Sequence, residues 1–157
     1  MSKRPSIPPG PGRRNANDQA LQSAILALRM QRPHEAERIA DQILKANRGN
    51  AGAAQILGQA LLMQNRAPEA VAVLQRAARR SEDAVTETLL AGALAATGRQ
   101  EEAFERLSKA KARRPPYAPA FLEHGSQLAR TGQFDEAIAV LDGGLTLMPE
   151  AVDLQKE

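Results

Sequence analysis

The sequence predicts an all-α fold in which antiparallel helix pairs stack into a solenoid, because one motif recurs at a nearly constant interval. The segments HEAERIADQIL, PEAVAVLQRAA, EEAFERLSKAK and DEAIAVLDGGL share an alanine in the same frame, at Ala36, Ala70, Ala103 and Ala137. These alanines are 34, 33 and 34 residues apart. Such a period is typical of stacked helical units, each of which contacts mainly its neighbours. We therefore expect one extended surface and no deep enclosed pocket.

The repeat frames are predicted to be residues 17–50, 51–83, 84–117 and 118–151. Each frame contains two amphipathic stretches separated by a short break. The first helix of each pair is predicted from the segments DQALQSAILALRM, GAAQILGQALLMQ, VTETLLAGALAAT and PAFLEHGSQLART. Apolar residues recur in these segments at steps of three and four, as an amphipathic helix requires.

Proline and glycine mark the ends of the predicted helices. Proline is accepted in the first turn of a helix, where its missing N–H would be unpaired anyway, and this explains Pro33, Pro68 and Pro119. Glycine just past a helix end adopts the left-handed conformation. Proline after a helix prevents its continuation. The predicted stops are Gly98, Gly132, Pro115, Pro116 and Pro149.

The basic character of the chain belongs to its first fourteen residues. Residues 1–14 contain four basic residues, no acid, four prolines and two glycines. Without them, 17 basic residues face 18 acidic ones. We expect residues 1–14 to form a disordered basic tail, because this composition cannot pack into a core. The solenoid itself is then nearly neutral.

Composition also limits the compartment and the chemistry. The chain has no cysteine, which excludes disulfides and thiolate metal sites. It has no apolar signal region after the basic N-terminus and no 18-residue apolar run, so we expect no secretion signal and no membrane span. A cytoplasmic location is the expectation. Aromatic residues make up 3% of the chain, which argues against a large pocket for a flat cofactor, and no cofactor is predicted.

Small residues recur where two helices of a pair would meet. In the first helices this position is Ala24, Gly58, Ala91 and Gly125. In the second helices the alanine at 36, 70, 103 and 137 is followed by a large apolar residue at Leu74, Leu107 and Leu141, with Ala40 in the first frame. This pattern resembles the tetratricopeptide repeat (TPR) of bacterial proteins and covers residues 17–151. The aromatic residue that the family places early in the first helix occurs once, as Phe121.

The resemblance implies a right-handed superhelix whose first helices line a concave groove. Side chains that point away from the contacts within each pair form the predicted groove: Leu21, Ile25, Arg29, Gln55, Gln59, Met63, Thr88, Gly92, Ala96, Leu122, Ser126 and Arg130. Small residues at 92 and 96 would let a ligand backbone approach closely, and the two glutamines could hydrogen bond with it. We therefore expect an unidentified protein or peptide as the partner; a solvated surface without a ligand is the alternative.

Two kinds of partner are not expected. Chaperone-binding members of the family hold a carboxylate with groove cations. The matching positions carry no cation, being Leu21, Ile25, Ile56, Val85 and Leu89. Nucleic acid is disfavoured because the basic helix ends, such as Arg76–Arg80 and Lys109–Arg114, have no interleaved aromatic residues for base stacking. Cations at helix C-termini are stabilising without any ligand.

The sequence gives no support for catalysis or for a metal site. His34 and His124 lie in different repeats, and we expect the first to be exposed and the second to be packed. The acid pairs Glu35–Glu37, Glu101–Glu102 and Asp135–Glu136 open second helices, where they complement the helix dipole. No phosphate-binding loop, zinc-binding helix motif or nucleophile elbow is present.

The C-terminal end suggests two further functions. Residues 152–157 match the start of a fifth unit, and the last helix carries apolar residues outside its packing stripe, namely Ile138, Val140, Leu145 and Leu147. One hypothesis is that the chain is part of a longer protein, in which the repeats position substrates for a transferase domain; arrays of this family often precede such domains. The other is self-association, for example as a homodimer, through the exposed last helix.

Overall fold

The computed structural model describes the backbone of residues 11–148 and the side chains of residues 16–148. Within this range the chain is all-helical and contains no β-strand. The eight helices are α1 (Pro11–Arg29), α2 (Pro33–Ala46), α3 (Ala51–Met63), α4 (Ala67–Arg80), α5 (Ala84–Ala96), α6 (Gln100–Ala112), α7 (Ala118–Arg130) and α8 (Phe134–Leu147). The helix pairs α1–α2, α3–α4, α5–α6 and α7–α8 are called repeats 1 to 4 below.

Helix α1 begins at Pro11 and not at Asp18, where the sequence pattern placed its start. Residues 11–14, which the sequence pattern assigned to the tail, therefore belong to this helix. The physical reason is that proline suits the first turn and that Arg13 and Arg14 are good helix formers. Residues 1–10 and 149–157, which include the predicted fifth unit at 152–157, lie outside the described residues.

The turn inside each pair has the same geometry in all four repeats. The second of its three residues has a positive φ: 58° at Gln31, 59° at Asn65, 82° at Gly98 and 81° at Gly132. The following N–H donates back to a carbonyl five residues earlier, for example from Arg99 to Leu94 at 2.9 Å. This is the hydrogen bond of a Schellman cap, which turns the chain sharply into the second helix.

The two helices of a pair meet at the predicted small residues. Ala36, Ala70 and Ala103 are fully buried, and Ala137 nearly so. A Cβ atom at Gly58 would lie 2.7 Å from Leu74 Cδ2, and one at Gly125 would lie 2.8 Å from Leu141 Cδ2. Neither position has room for a side chain. The leucine of the second helix therefore packs directly against the backbone of the first.

The first helices form a layer of their own. Helices α1, α3, α5 and α7 each contact the next member of this series, whereas the described helices α2, α4, α6 and α8 do not contact one another. Helices α2, α4 and α6 instead pack against the first helix of the following repeat. The first helices therefore form the shorter, inner side of the stack. Among the contacts of a second helix with the next first helix, α6–α7 has the fewest close approaches.

Polar pairs join neighbouring repeats inside the stack. Gln64 Nε2 donates to Glu37 Oε2 at 2.8 Å, and Arg66 Nη1 contacts the same carboxylate at 2.9 Å. The hydrogen bond from Gln64, together with Arg66, holds the pKa of Glu37 below its usual range. Further along, Gln100 Nε2 donates to Gln127 Oε1 at 2.7 Å. These contacts fix the register between one repeat and the next.

Candidate binding groove

The predicted groove residues form four rows, one on each first helix. The structure exposes seven of them: Arg29, Gln59, Met63, Ala96, Leu122, Ser126 and Arg130. Leu21, Ile25, Gln55 and Gly92 are half-buried. Eleven of the twelve residues thus contribute surface to the first-helix layer, which lies on the inner side of the stack.

Thr88 is the residue for which the structure corrects the prediction. Its side chain is buried, with 8% of its surface exposed, and its hydroxyl donates to the Ala84 carbonyl at 2.7 Å. Helix α5 is contacted by α3 on one side and by α7 on the other. Spacing along a single helix could not reveal this, because the packing of other helices decides how much of each face is covered. Thr88 therefore offers almost no surface to a partner.

Gln55 is engaged in holding repeats together. Its Nε2 donates to Thr86 Oγ1 at 3.1 Å and to Asp83 Oδ1 at 3.4 Å. Asp83 also caps α5 by accepting the Thr86 N–H at 2.8 Å. The Gln55 amide nitrogen, which the sequence suggested as a ligand donor, therefore fixes α3 against the start of α5.

A cleft of about 510 Å³ opens between α1 and α3 at the end of the groove near the N-terminus. Its lining brings together four predicted residues, Ile25, Arg29, Gln59 and Met63, and adds Leu28 and Leu62. The two added leucines follow Ile25 and Gln59 by three residues, so helical spacing could have placed them beside the predicted rows. The cleft has an apolar wall with one guanidinium and one amide at its edge.

The other end of the groove is more polar. Arg130 Nη2 lies 3.6 Å from Glu123 Oε1, which also accepts a hydrogen bond from Gln127 Nε2 at 2.8 Å. A Cβ at Gly92 would lie 3.6 Å from the same Glu123 oxygen, so the surface at Gly92 is open and borders an acidic group. Glu123 was not among the predicted groove residues, because the equivalent positions in repeats 2 and 3 are apolar Ile56 and Leu89.

A second cleft, of about 770 Å³, lies on the outer side between α2 and α4. The predicted basic residues Arg76, Arg79 and Arg80 line it together with Arg48. Its floor is aliphatic and none of its lining residues is aromatic, so it offers no stacking platform for nucleic-acid bases.

The histidines do not form a catalytic or metal-binding group with each other. His34 is exposed at the start of α2, and His124 packs at the α6–α7 junction with its ring centroid 5.3 Å from that of Phe104. Burial, with a smaller effect of nearby Lys111, lowers the pKa of His124 to about 4. Within residues 11–148 no group of three or more His, Cys, Asp or Glu residues could hold a metal ion.

Comparison with known proteins supports the assignment of the repeats. Residues 21–85 match the family model described as "Tetratricopeptide repeat". A search of curated protein sequences finds no match. None of the helices in the described range has the length and apolar composition that a bilayer crossing requires.

Several solved structures share the fold. One is TTC0263, a thermophilic TPR protein of Thermus thermophilus, with a TM-score of 0.76 and 23% identity over 83% of this chain and 74% of that one. Another is pilF of Pseudomonas aeruginosa, with a TM-score of 0.76 and 21% identity over 87% of this chain and 63% of that one. MamA from Desulfovibrio magneticus RS-1 has a TM-score of 0.69 and 20% identity over 85% of this chain and 76% of that one.

These proteins share the superhelical stack of helix pairs with this chain, and at such identities the likeness concerns the fold. The family match covers the second half of α1, the whole of α2 and of repeat 2, and the start of repeat 3. The same helix-pair period then continues through α8. Residues 21–85 thus match a tetratricopeptide repeat, and the described part of the chain shares the fold of the tetratricopeptide-repeat proteins named above.

Proposed function

We propose that this chain binds a peptide segment of a protein partner along its first-helix layer. The tetratricopeptide fold supports a general role as a protein–protein interaction scaffold, and repeats of this family are typically non-catalytic. The observation that favours the groove as the site is the apolar cleft between α1 and α3. It lies where Ile25, Arg29 and Met63 converge.

The cleft suggests what the peptide should carry. A volume of about 510 Å³ is within the usual range for ligand sites, and it accommodates one or two large apolar side chains. Met63 has an unbranched, flexible side chain that adapts to different apolar ligands. Arg29 at the edge would pair with a carboxylate of the ligand. We therefore propose a segment with a large apolar residue next to an acidic one.

The remainder of the groove would guide the peptide backbone. Gly92 and Ala96 are small residues on the open face of α5, so a ligand main chain could approach the helix closely there. Leu122 is exposed in the next row and would contact a second apolar side chain of the ligand. A helix or an extended segment that crosses α1, α3, α5 and α7 is compatible with this surface.

Selection of peptides from a displayed random library tests the proposal. We expect selected peptides to carry an apolar residue beside an acid, and to bind the Met63→Glu and Leu122→Glu variants at least about tenfold more weakly than the wild type. The matched control is Ala72→Glu, which places the same charge on an exposed position of α4. Peptides that bind all these variants equally would show that the groove is not the site.

A further inference from the structure

The N-terminal end of the stack exposes two apolar side chains, and the equivalent positions in the later repeats are covered except at Thr131. Leu26 of α1 corresponds to Ala60, Ala93 and Gln127, each of which is fully buried against the preceding repeat. Met30 corresponds to Gln64, which bonds to Glu37 of the preceding repeat. Leu26 and Met30 are 55% and 52% exposed. They therefore lie on the face of α1 where a preceding repeat would pack.

The C-terminal end shows the complementary feature. Phe134 of α8 corresponds to Ala67 and Gln100, and Ile138 corresponds to Val71 and Phe104. Those earlier residues are buried or half-buried under the first helix of the next repeat. Phe134 and Ile138 are instead 63% and 58% exposed. Helix α8 thus presents the face that receives a following first helix elsewhere in the stack.

The contacts inside the stack predict how the two ends would fit. Gln100 contacts Gln127, and Glu37 contacts Gln64, each from a second helix to the next first helix. At the ends of the stack, Phe134 and Leu26 stand at the positions of Gln100 and Gln127, and Ile138 and Met30 stand at the positions of Glu37 and Gln64. If two copies join end to end with the same geometry, Phe134 of one copy therefore faces Leu26 of the other. Ile138 likewise faces Met30. Both polar pairs of the interior become apolar pairs at the ends.

Charge favours the same arrangement. Helix α8 carries Asp135, Glu136 and Asp142 and no basic residue. Helix α1 carries three arginines and one aspartate. The two end helices therefore have opposite net charge, whereas two α8 helices placed face to face would repel each other.

We propose that copies of this chain associate head to tail, with α8 of one copy packed against α1 of the next as a second helix packs against the following first helix inside the stack. This surface is separate from the groove, so the inference stands independently of the proposed peptide binding. Such a contact joins two different faces, so each copy keeps one free face for a further copy. It therefore generates open chains or closed rings of copies and not a symmetric dimer. The groove would then continue from copy to copy.

Sedimentation velocity of the full chain over a wide concentration range tests this inference with two variants. The head variant is Leu26→Glu with Met30→Glu, and the tail variant is Phe134→Glu with Ile138→Glu. We expect the wild type to form species larger than dimers as concentration rises. Each variant alone should associate at least about tenfold more weakly. An equal mixture of the two should form a heterodimer, because one retains a working α8 and the other a working α1.

The control is Leu122→Glu, an equally exposed leucine in the groove, which should associate like the wild type. Circular dichroism checks that every variant keeps its helix content, and the single changes Leu26→Glu and Phe134→Glu serve if a double variant does not fold. A wild type that stays monomeric up to about 1 mM overturns the inference. So does a head variant that still dimerises through α8, or a mixture that forms no heterodimer.

Discussion

Glu87 Oε1 lies 3.3 Å from Arg106 Nη1, and the two residues occupy in repeat 3 the positions that Phe121 and Val140 occupy in repeat 4. The Glu87 side chain is almost fully buried, whereas about a third of the Arg106 side chain remains exposed. An ion pair therefore occupies, in the third repeat, two positions that carry apolar residues in the fourth. A buried carboxylate is tolerated there only because the guanidinium compensates for its lost hydration.

Removal of Arg106 should consequently destabilise the protein more than removal of both partners. We expect Arg106→Val to lower the free energy of unfolding by about 3 kcal/mol, because Glu87 would remain buried without a partner. The double variant Glu87→Leu with Arg106→Val should lie within about 1 kcal/mol of the wild type. Urea denaturation of both variants measures this. Equal losses in the single and the double variant would show that the pair does not depend on mutual compensation.

Two glycines in equivalent helices should respond in opposite ways to alanine. Gly58→Ala should destabilise the protein by about 1–3 kcal/mol, because its methyl group would lie 2.7 Å from Leu74 Cδ2. Gly92→Ala should stabilise it by about 0.5–1 kcal/mol, since the new methyl group meets only the Glu123 carboxylate, at 3.6 Å. Thermal unfolding midpoints compare the two variants. A loss of stability in Gly92→Ala would contradict the open surface described for α5.

Stability should fall as the pH is lowered from about 6.5 towards 4, because of His124. Burial depresses the pKa of this imidazole to about 4 in the folded protein, from a usual value of 6.5. The unfolded chain therefore binds the proton more readily between pH 6.5 and about 4. The stability that the neutral imidazole contributes is complete above pH 6.5 and is lost as the pH falls towards 4.

Unfolding midpoints between pH 7 and 5 check this dependence in a range above the usual pKa of carboxylates. His124→Leu restores the residue type of Leu57 and Leu90 at the same position and should remove the dependence. The exposed-histidine control, His34→Gln, should retain it. A pH dependence that survives His124→Leu would assign the effect to another group.

The fourth repeat should open before the others. Among the contacts of a second helix with the next first helix, α6–α7 has the fewest close approaches, and His124 Nδ1 is buried there without a hydrogen-bond partner among the described residues. Amide hydrogen exchange should therefore be faster in α7 and α8 than in α4 and α5. Helices α7 and α8 should exchange at similar rates, because they open together as one unit. Uniform protection from α3 to α8 would contradict a weak α6–α7 junction.

The fold could be predicted from the sequence because its strongest signals are local and repeated. The alanines from Ala36 to Ala137 and the glycines at 58 and 125 lie where the structure needs small residues, so spacing alone placed the helix pairs. Gly98 and Gly132 likewise marked two of the left-handed turns. Gln31 and Asn65 adopt the same conformation without a glycine to signal it. The turns at these two residues were predictable from the repeat spacing and not from the residue type.

The site was less predictable because its details come from neighbouring repeats. The burial of Thr88 and the hydrogen bonds of Gln55 to α5 depend on contacts between helices that one helix pattern does not contain. Glu87 stands at the position where the family has an aromatic residue, which is Phe121 in repeat 4. Its role became clear only beside Arg106, nineteen residues further on.

Methyl NMR of the methionines would test the proposed groove most directly, because three of the chain's four methionines report on different surfaces. Met63 lines the cleft, Met30 lies on the face of α1 where a preceding repeat would pack, and Met148 follows α8. On addition of a selected peptide at a low protein concentration, we expect the Met63 methyl resonance to shift while those of Met30 and Met148 stay in place. A peptide that binds and shifts Met30 or Met148 but leaves Met63 unchanged would contradict groove binding.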